Sequence, residues 1–445
     1  MKFGKIYSNA AVNFKLIFRA LQYRNYRLFF IGQTISLTGT WMQQVAIGWL
    51  VYRLTNSPFL LGIVGFVGQI PTFLVSPLAG VFADRHNRKT MLLITQILAM
   101  IQAFIMAWLI LAKNIQIWHI LVLSAALGII NCFDLPIRQA FTVEMVENRE
   151  DLGNAIALNS SMVNAARLIG PSIAGILIAT VGEGICFLLN AISYIAVIVS
   201  LLAMRVVARN IKPSSRHILL ELKEGISYAL NFSPIKSILL LLALVSLMGV
   251  PYQILMPVFA KDIFHGGPRV LGFLISMSGI GALIGALYLA ARKSVLGLGR
   301  IIALTACLFG VTIIAFSLSR VLWVSMLILL FSGFGMMVQM ASSNTVLQTI
   351  VEEDKRGRIM SFYTMSFMGM APFGSLLAGS LASKIGAPYT LLAGGVICII
   401  GALMFAAKLP SIRAKIHPIY AQKGIIPEVA KGIQSATGLE SLAKY

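Results

Sequence analysis

Long apolar runs alternate with short charged segments between residues 28 and 408. A helix that crosses a lipid bilayer needs about 20 predominantly apolar residues. The predicted spans are 28–52, 58–82, 90–112, 116–137, 153–180, 184–204, 236–260, 269–291, 299–318, 322–348, 358–381 and 388–408. The fifth and tenth runs hold enough polar residues that a simple hydropathy threshold is expected to miss them. The pattern predicts an all-α membrane protein with twelve transmembrane helices.

The longest polar segment within this region is 205–233, and it divides the spans into two groups of six. Residues 217–230 have helical periodicity, which predicts an amphipathic helix on the membrane surface. The predicted organisation is a lead-in at 1–27, a six-helix bundle at 28–204, a linker at 205–233, a second six-helix bundle at 234–408 and a basic tail at 409–445.

Composition supports a membrane protein. Of the 445 residues, 58% are hydrophobic and 11% are charged, whereas a soluble domain usually carries about 25% charged residues. The formal net charge of +21 would suit a nucleic-acid partner if the basic residues formed one surface. They lie instead in short clusters between apolar runs, so we expect no nucleic-acid partner.

The positions of Lys and Arg also predict the orientation. If the N-terminus is cytoplasmic, most of the 36 basic residues lie in cytoplasmic segments, few lie in the outer loops and one lies within a span. This distribution is the positive-inside pattern. We therefore expect both termini in the cytoplasm and the protein in the inner membrane. The outer basic residues are Arg53, Lys113, Lys261, Arg269, Arg320 and Lys384.

Four cysteines, Cys132, Cys186, Cys307 and Cys398, lie inside apolar runs. They are interpreted as small apolar core residues rather than as disulfide partners. No Cys-x-x-Cys spacing or His cluster indicates a metal. A Gly-x-x-x-x-Gly-Lys-Ser/Thr loop is also absent from the sequence, as is any nucleophile paired with a base. We expect no metal, no cofactor and no enzymatic activity.

The two groups of spans resemble each other. A shift of 204 residues aligns the fifth span with the eleventh, and Leu61-Gly62 and Leu271-Gly272 open the second and eighth spans alike. Such similarity suggests parallel repeats around a central path. The aligned pairs are Asp151 with Lys355, Gly153 with Gly357, Gly170 with Gly374, Ala174 with Ala378, Gly175 with Gly379 and Gly182 with Gly386.

The clearest motif is 80–89, Gly-Val-Phe-Ala-Asp-Arg-His-Asn-Arg-Lys, between spans two and three. Asp84 is expected where the third helix begins, so that its negative charge meets the positive helix end. Arg85 and Arg88 can pair with acidic groups at the cytoplasmic ends of other spans and hold the inner face shut. The alternative is a basic loop that only sets the orientation.

The spacing of this motif resembles the loop motif of the major facilitator superfamily of secondary transporters, with Asn87 where that family usually has glycine. Asp134 and Arg138 lie one helical turn apart. They can form a local pair or reach the Arg85 loop, and we assign them to the same gate. The predicted gate consists of Gly80, Asp84, Arg85, Arg88, Asp134 and Arg138.

A second motif lies in the fifth span. Residues 167–175, Arg-Leu-Ile-Gly-Pro-Ser-Ile-Ala-Gly, look like the superfamily's antiporter motif. Its small residues, Gly170 and Gly175 among them, allow helices to approach closely, and Pro171 removes a backbone hydrogen bond. The resemblance implies export and limited leak, and ordinary small-residue packing is the alternative.

A wider resemblance covers nearly the whole chain. Residues 32–36, 41–43, 131–141, 154–167 and 424–430 resemble the enterobactin-exporter-like branch of the superfamily, also called transmembrane secretion effectors. It implies that a monomer exports a small molecule, a siderophore or an amphipathic toxicant, by rocking two six-helix halves with proton antiport. Spans one, seven and ten lack a mid-membrane Asp or Glu, so proton coupling rests on the resemblance.

Arg167 is the only basic residue well inside a span, which is a costly position. It is predicted to contact an anionic substrate, to pair with a carboxylate on span four, or to bond Asp134 or a carbonyl group as a structural latch. The predicted substrate path consists of Gln33, Trp41, Gln43, Asn159, Asn164, Arg167, Tyr252, Gln339 and Asn344, with Gln44, Gln69 and Gln253 as further candidates.

Two other functions compete with export of a small molecule. A lipid or lysolipid transporter would need a cavity that opens sideways to the bilayer. A membrane scaffold or sensor could use the basic tail from residue 409 to bind a partner or anionic headgroups. The charged loop motif argues against the scaffold.

Overall fold

The computed structural model describes residues 18–205, 228–229, 231–292, 294–353, 355–423 and 425, without the side chains of residues 76–85 and 149. We number the helices by span. The first half contains α1 (Arg24–Thr55), α2 (Pro58–Arg85), α3 (Arg88–Leu111), α4 (Ile117–Glu144), α5 (Leu152–Val181) and α6 (Glu183–Ala203). The second half contains α7a (Ser233–Met248), α7b (Tyr252–Val258), α8 (Pro268–Ala290), α9 (Leu298–Leu318), α10 (Leu322–Ile350), α11a (Arg356–Thr364), α11b (Ala371–Ile385) and α12 (Ala387–Gln422).

The described chain is helical, and eleven of its helical segments are long and apolar enough to cross a membrane. The fifth and tenth helices are among them, so the expectation that a hydropathy threshold misses these two was wrong. The helix that falls below the threshold is α1, because polar residues such as Gln33, Gln43 and Gln44 interrupt its apolar sequence. With 32 residues, α1 is still long enough to cross a bilayer.

The same helix pairs pack together in both halves. In the first half α1 packs on α6, α2 on α4, and α3 on both α4 and α6. In the second half α7a packs on α12, α8 on α10, and α9 on both α10 and α12. The pairs correspond one to one, which confirms the predicted fold of two six-helix repeats.

Local features repeat as well. Gly182 and Gly386, 204 residues apart, have φ angles of 87° and 88° in the turns that follow α5 and α11b. Only glycine adopts this backbone region without strain. Before α1, the Tyr23 hydroxyl donates to Asp151 at 2.7 Å. Before α7a, Tyr228 places its ring 4.6 Å from the Lys355 ammonium. In each half, the contact joins the segment before the first helix to the start of the fifth helix.

Two helix ends differ from the sequence expectations. Asp84 does not begin the third helix, because α2 continues to Arg85 and Asn87 caps α3 by accepting from the Thr90 amide at 3.2 Å. The twelfth helix continues past residue 408 to Gln422, so the first part of the predicted tail is helical. Residues 217–227 and 230 of the predicted linker helix, and residues 424 and 426–445 of the tail, lie outside the described residues.

The seventh and eleventh helices are interrupted, unlike their counterparts α1 and α5. Gly249 and Pro251 separate α7a from α7b, and a π-helical turn extends α7b over Phe259–Ile263. A second π-helical turn, Met365–Gly369, separates α11a from α11b. Both helices border the space between the halves, and π-helical turns often mark functional positions.

Candidate functional site

The two halves touch along two seams. In the first seam, α5 packs on α8. A Cβ atom added to Gly175 would lie 2.8 Å from the Pro268 carbonyl oxygen and 3.1 Å from the Gly272 Cα. Because real Cβ atoms rarely approach that closely, this crossing requires glycine. The Ser172 and Ser276 hydroxyls, 2.7 Å apart, add a hydrogen bond across the seam.

In the second seam, α2 packs on α11b. A Cβ atom added to Gly62 would lie 2.7 Å from the Ser375 carbonyl oxygen and 2.9 Å from the Gly379 Cα. The repeat relates the seams, because Gly62 corresponds to Gly272 and Gly175 to Gly379. The sequence pattern identified these four glycines as repeat partners, and the structure pairs each with a glycine of the other half.

Both seams lie towards the end of the bundle where α1 ends and α2 begins. We call this the far end, and the end where α1 begins and α2 ends the basic end. At the far end Tyr52 hydrogen-bonds Asp262, and the Lys261 ammonium donates to the Asn56 side chain and lies 5.5 Å from the Tyr52 ring centroid. These contacts join α1 to the π-helical turn after α7b. The sequence did not predict this role of Tyr52, because no neighbouring residue indicates that its hydroxyl has a hydrogen-bond partner.

A central cavity of about 350 Å³ lies between the halves, on the inner side of these contacts. Its described lining carries amide, hydroxyl and apolar side chains but no charged side chain. The polar and aromatic lining residues are Thr40, Trp41, Gln43, Gln44, Gln69, Ser124, Asn131, Tyr194, Gln253 and Ser375. The space suits a small organic molecule with hydrogen-bonding groups.

Polar side chains are exposed on three helices of the two halves, of which only α4 contributes to the cavity lining. Ser160 and Ser161 of α5 and Gln348 of α10 are exposed, as is Asn131 of α4. Ile156, one helical turn before Ser160 on the same face of α5, is also exposed. This part of α5 therefore exposes both polar and apolar side chains.

The structure separates the predicted path residues into groups. Trp41 and Gln43 line the cavity, as do the further candidates Gln44, Gln69 and Gln253. The others stand elsewhere: Asn159, Asn164 and Asn344 are half-buried; Gln33 and Gln339 are buried; Tyr252 is fully buried.

Several of these side chains already have partners. The Asn164 amide donates to the Ser160 carbonyl at 2.9 Å, and Asn344 accepts from Gln348 at 2.6 Å. Tyr252 corrects the path prediction, because its hydroxyl lies 2.6 Å from the Ser278 hydroxyl inside the second half rather than in the cavity. Gln339 also lies in the helix packing and not in the cavity lining.

Gln43 belongs to a buried network that joins four helices. Its amide nitrogen donates to Gln102 at 3.1 Å, and its amide oxygen accepts from Asn190. Gln102 in turn donates to the Leu123 carbonyl at 3.2 Å. Gln43 thus holds α1 against α3 and α6. Its partners were missed because a buried Gln or Asn in an apolar run has no local signal of what it faces.

Arg167 lies where the α5–α8 seam ends on its basic-end side. Its guanidinium carbon is 5.6 Å from the centroid of the Trp41 ring. A Cβ atom added to Gly279 of α8 would lie 3.3 Å from the Arg167 carbonyl oxygen. Asp134 does not pair with it, which overturns the predicted structural latch between the two. Asp134 instead accepts from Gln96 at 2.6 Å and Thr95 at 3.0 Å.

The predicted gate residues that the structure describes form contacts within the first half. Arg138 lies 3.5 Å from Asp134 on the same helix, and Arg88 pairs with Glu144 at 2.7 Å. The second pair fits the expectation that Arg88 meets an acidic group at the end of another span. The side chains of Asp84 and Arg85 and the surroundings of Gly80 are not among those that the structure describes.

The motif glycines of α5 serve two different interfaces. A Cβ on Gly170 would lie 2.6 Å from the Trp41 Cβ, so Gly170 packs against α1. Gly175 packs against α8, and the Pro171 carbonyl oxygen would lie 2.5 Å from a Cβ on Gly272. The segment therefore fixes α5 against its own half and against the other half at once.

Comparison with known proteins gives consistent matches. Residues 17–439 match the family model described as transmembrane secretion effector. The staphyloferrin A transporter of Staphylococcus aureus is 28% identical over 84% of this chain and 94% of that protein. Macrolide efflux protein A of Streptococcus pyogenes is 24% identical over 85% of this chain and 96% of its own.

Solved structures share the fold. A bacterial homologue of the human lysosomal transporter Spinster, in an inward-facing and unoccupied conformation, superposes with a TM-score of 0.65. The two chains are 15% identical, and the match covers 86% of this chain and 96% of the other.

Proposed function

The chain belongs to the transmembrane secretion effector family, and on this premise we propose that it exports a small organic molecule by alternating access. It is a multi-pass membrane protein with the fold of major facilitator transporters. The observation that carries the proposal is the cavity of about 350 Å³ between the halves, sealed by two seams at the far end. Transport fits this architecture, and we assign the chain no catalytic step.

The basic end is assigned to the cytoplasm. Arg24, Arg27, Lys89, Arg138 and Arg292 gather there, and such an excess of basic residues is typical of the cytoplasmic side. Both termini would then lie in the cytoplasm, and the protein would lie in the inner membrane of the cell. In this orientation the two seams would lie on the outer side of the membrane, where an exporter has to be closed while it takes up its substrate from the cytoplasm.

The substrate class follows from the cavity and from the relatives. One relative is named for a siderophore and another for macrolide efflux, and the amide and aromatic lining suits molecules rich in oxygen. A siderophore-like compound or an amphipathic toxicant is the proposed cargo, in agreement with the enterobactin-exporter-like resemblance. The transporter is proposed to act as a monomer.

Proton antiport and gating by the loop at 80–89 complete the proposal. The gate would consist of Asp84, Arg85 and Arg88 with the Asp134–Arg138 pair. Two of its ion pairs, Arg88–Glu144 and Asp134–Arg138, brace the basic end of the first half. Breaking or moving these pairs would change how that half closes against the other.

The test measures the amount of siderophore and of added macrolide retained by cells that lack the gene. Restoring the gene should lower retention, and a protonophore should abolish the difference if protons drive export. Asp84→Asn should restore less export than the wild type at equal membrane abundance. Equal retention with and without the gene would contradict export, and full activity of Asp84→Asn would contradict the gate.

A further inference from the structure

Arg167 carries a positive charge deep inside the first half. Since α5 begins at Leu152, a rise of 1.5 Å per residue puts Arg167 about 22 Å along the helix. Its side chain is half-buried and lies over the Trp41 ring, and Trp41 lines the central cavity. The charge therefore stands beside the cavity, at the point where the two halves part.

The acidic side chains described nearest to this region are engaged elsewhere. Asp134 pairs with Arg138, Glu144 with Arg88 and Glu183 with Arg53. Asp151 binds Arg19, and Asp262 binds Tyr52. Within the described part of the chain, no carboxylate therefore lies within ion-pair distance of Arg167.

An unneutralised cation in this position is costly. Removing a charge from water without a counter-ion costs far more than a nearby aromatic ring returns. The guanidinium lies over the Trp41 ring, and its N–H groups form no hydrogen bond among the described residues. A guanidinium presents paired N–H donors that match a carboxylate or another oxyanion in a bidentate arrangement.

We infer that the exported molecule is an organic anion, whose oxyanion group binds Arg167 while its body lies in the cavity against Trp41. The inference rests on the proposed export and adds the charge of the cargo. The cavity lining supports it, because its described residues offer a cationic ligand no carboxylate. Neutral amide and hydroxyl groups of the lining would bind the remaining oxygens of the anion.

A matched pair of fluorescent probes tests the inference without a known substrate. The anion 1-anilinonaphthalene-8-sulfonate and the neutral N-phenyl-1-naphthylamine share the same rings and differ by the sulfonate. The protein keeps Trp41 and carries phenylalanine at Trp49, Trp108, Trp118 and Trp323, so that energy transfer from the single tryptophan reports binding beside Arg167. The protein is studied in lipid nanodiscs.

Arg167→Gln should weaken binding of the sulfonate probe at least about tenfold, which corresponds to about 1.4 kcal/mol, and leave the neutral probe within twofold. Arg167→Lys should retain part of the affinity, since it keeps the charge but not the planar donors. The control Arg269→Gln removes an exposed cation from the start of α8 and should change neither probe.

Three results would overturn the inference: no saturable transfer to the anion in the unsubstituted protein, equal loss of both probes in Arg167→Gln, or no loss of the anion. Failure of the export itself is distinguishable. Anion binding that depends on Arg167, in a protein that does not change cellular retention, contradicts the proposed function and leaves the anion site in place.

Discussion

At the scale of single residues, polar side chains inside the spans have two roles. Gln43 is fully engaged by Gln102 and Asn190 and so acts as a link between helices. Arg167 has a ring but no carboxylate beside it among the described residues and so is available to a ligand. Burial and partners distinguish these roles, whereas residue type alone does not.

Gln43→Ala should destabilise the protein, because it leaves Gln102 and Asn190 without their partner in an apolar setting. Hydrogen bonds between membrane helices contribute about 0.6 kcal/mol each on average, so a loss of about 1 kcal/mol is expected. Thermal unfolding of the purified protein in one detergent measures it.

The matched control for this change is Gln348→Ala, since Gln348 is exposed and bonds Asn344 on its own helix. Its midpoint should stay close to that of the wild type. Equal unfolding midpoints for Gln43→Ala and the wild type would mean that the hydrogen bonds of Gln43 do not stabilise the fold.

The sequence predicted some residues of the site and not others. Arg167 and Trp41 stand out in sequence, one as a charge within a span and the other within a recognisable segment. The partners of Gln43, Tyr52 and Asp134 depend on how each helix is rotated about its axis. That rotation is set by packing across the whole bundle, which no short stretch of sequence records.

At the scale of elements, the two glycine seams join the halves. The sequence pattern identified the repeat and its glycines, because small residues at corresponding positions are visible in a single chain. It did not predict which helices the glycines join, nor the breaks in the seventh and eleventh helices. Those breaks depend on Gly249, Pro251 and the π-helical turns, which interrupt otherwise continuous apolar runs.

Gly175→Ala should weaken the closed far end. The new methyl group would lie 2.8 Å from the Pro268 carbonyl oxygen, and overpacking of this kind costs about 1–3 kcal/mol. The cost falls on the conformation that contains the seam, so the population of the far-end-open conformation relative to it should rise about fivefold or more.

The variant Ser375→Cys, in a protein without its native cysteines, measures this shift. Ser375 is buried beside the second seam. A membrane-impermeant maleimide added outside the cell should label this cysteine faster with Gly175→Ala. Gly153→Ala on the same helix meets no atom within 4 Å and is the matched control. Equal labelling of the two variants would contradict the role of the seam.

At the scale of the whole molecule, two similar halves border a central cavity, and the two glycine seams between them lie towards one end. A hydropathy pattern predicts this number of spans and halves because both depend on composition. It does not predict the conformation, because the far-end contacts differ from those of any other conformation by small shifts of whole helices. Alternating access requires those contacts to break and re-form in each cycle.

The most direct test of alternating access is a reversible disulfide across the second seam. A Cβ at Gly65 would lie 3.1 Å from the Ser375 Cβ, close to the separation that a disulfide needs. The pair Gly65→Cys and Ser375→Cys, with Cys132, Cys186, Cys307 and Cys398 replaced, joins the two halves. The pair Gly32→Cys and Ser200→Cys has the same 3.1 Å separation within the first half and is the control.

Export by each pair is then measured after oxidation and again after reduction. Oxidation should arrest export by the Gly65–Ser375 pair, and reduction should restore it, whereas the Gly32–Ser200 pair should export in both states. Undiminished export by protein fully cross-linked between Gly65→Cys and Ser375→Cys would contradict alternating access, since the far end would then not need to open.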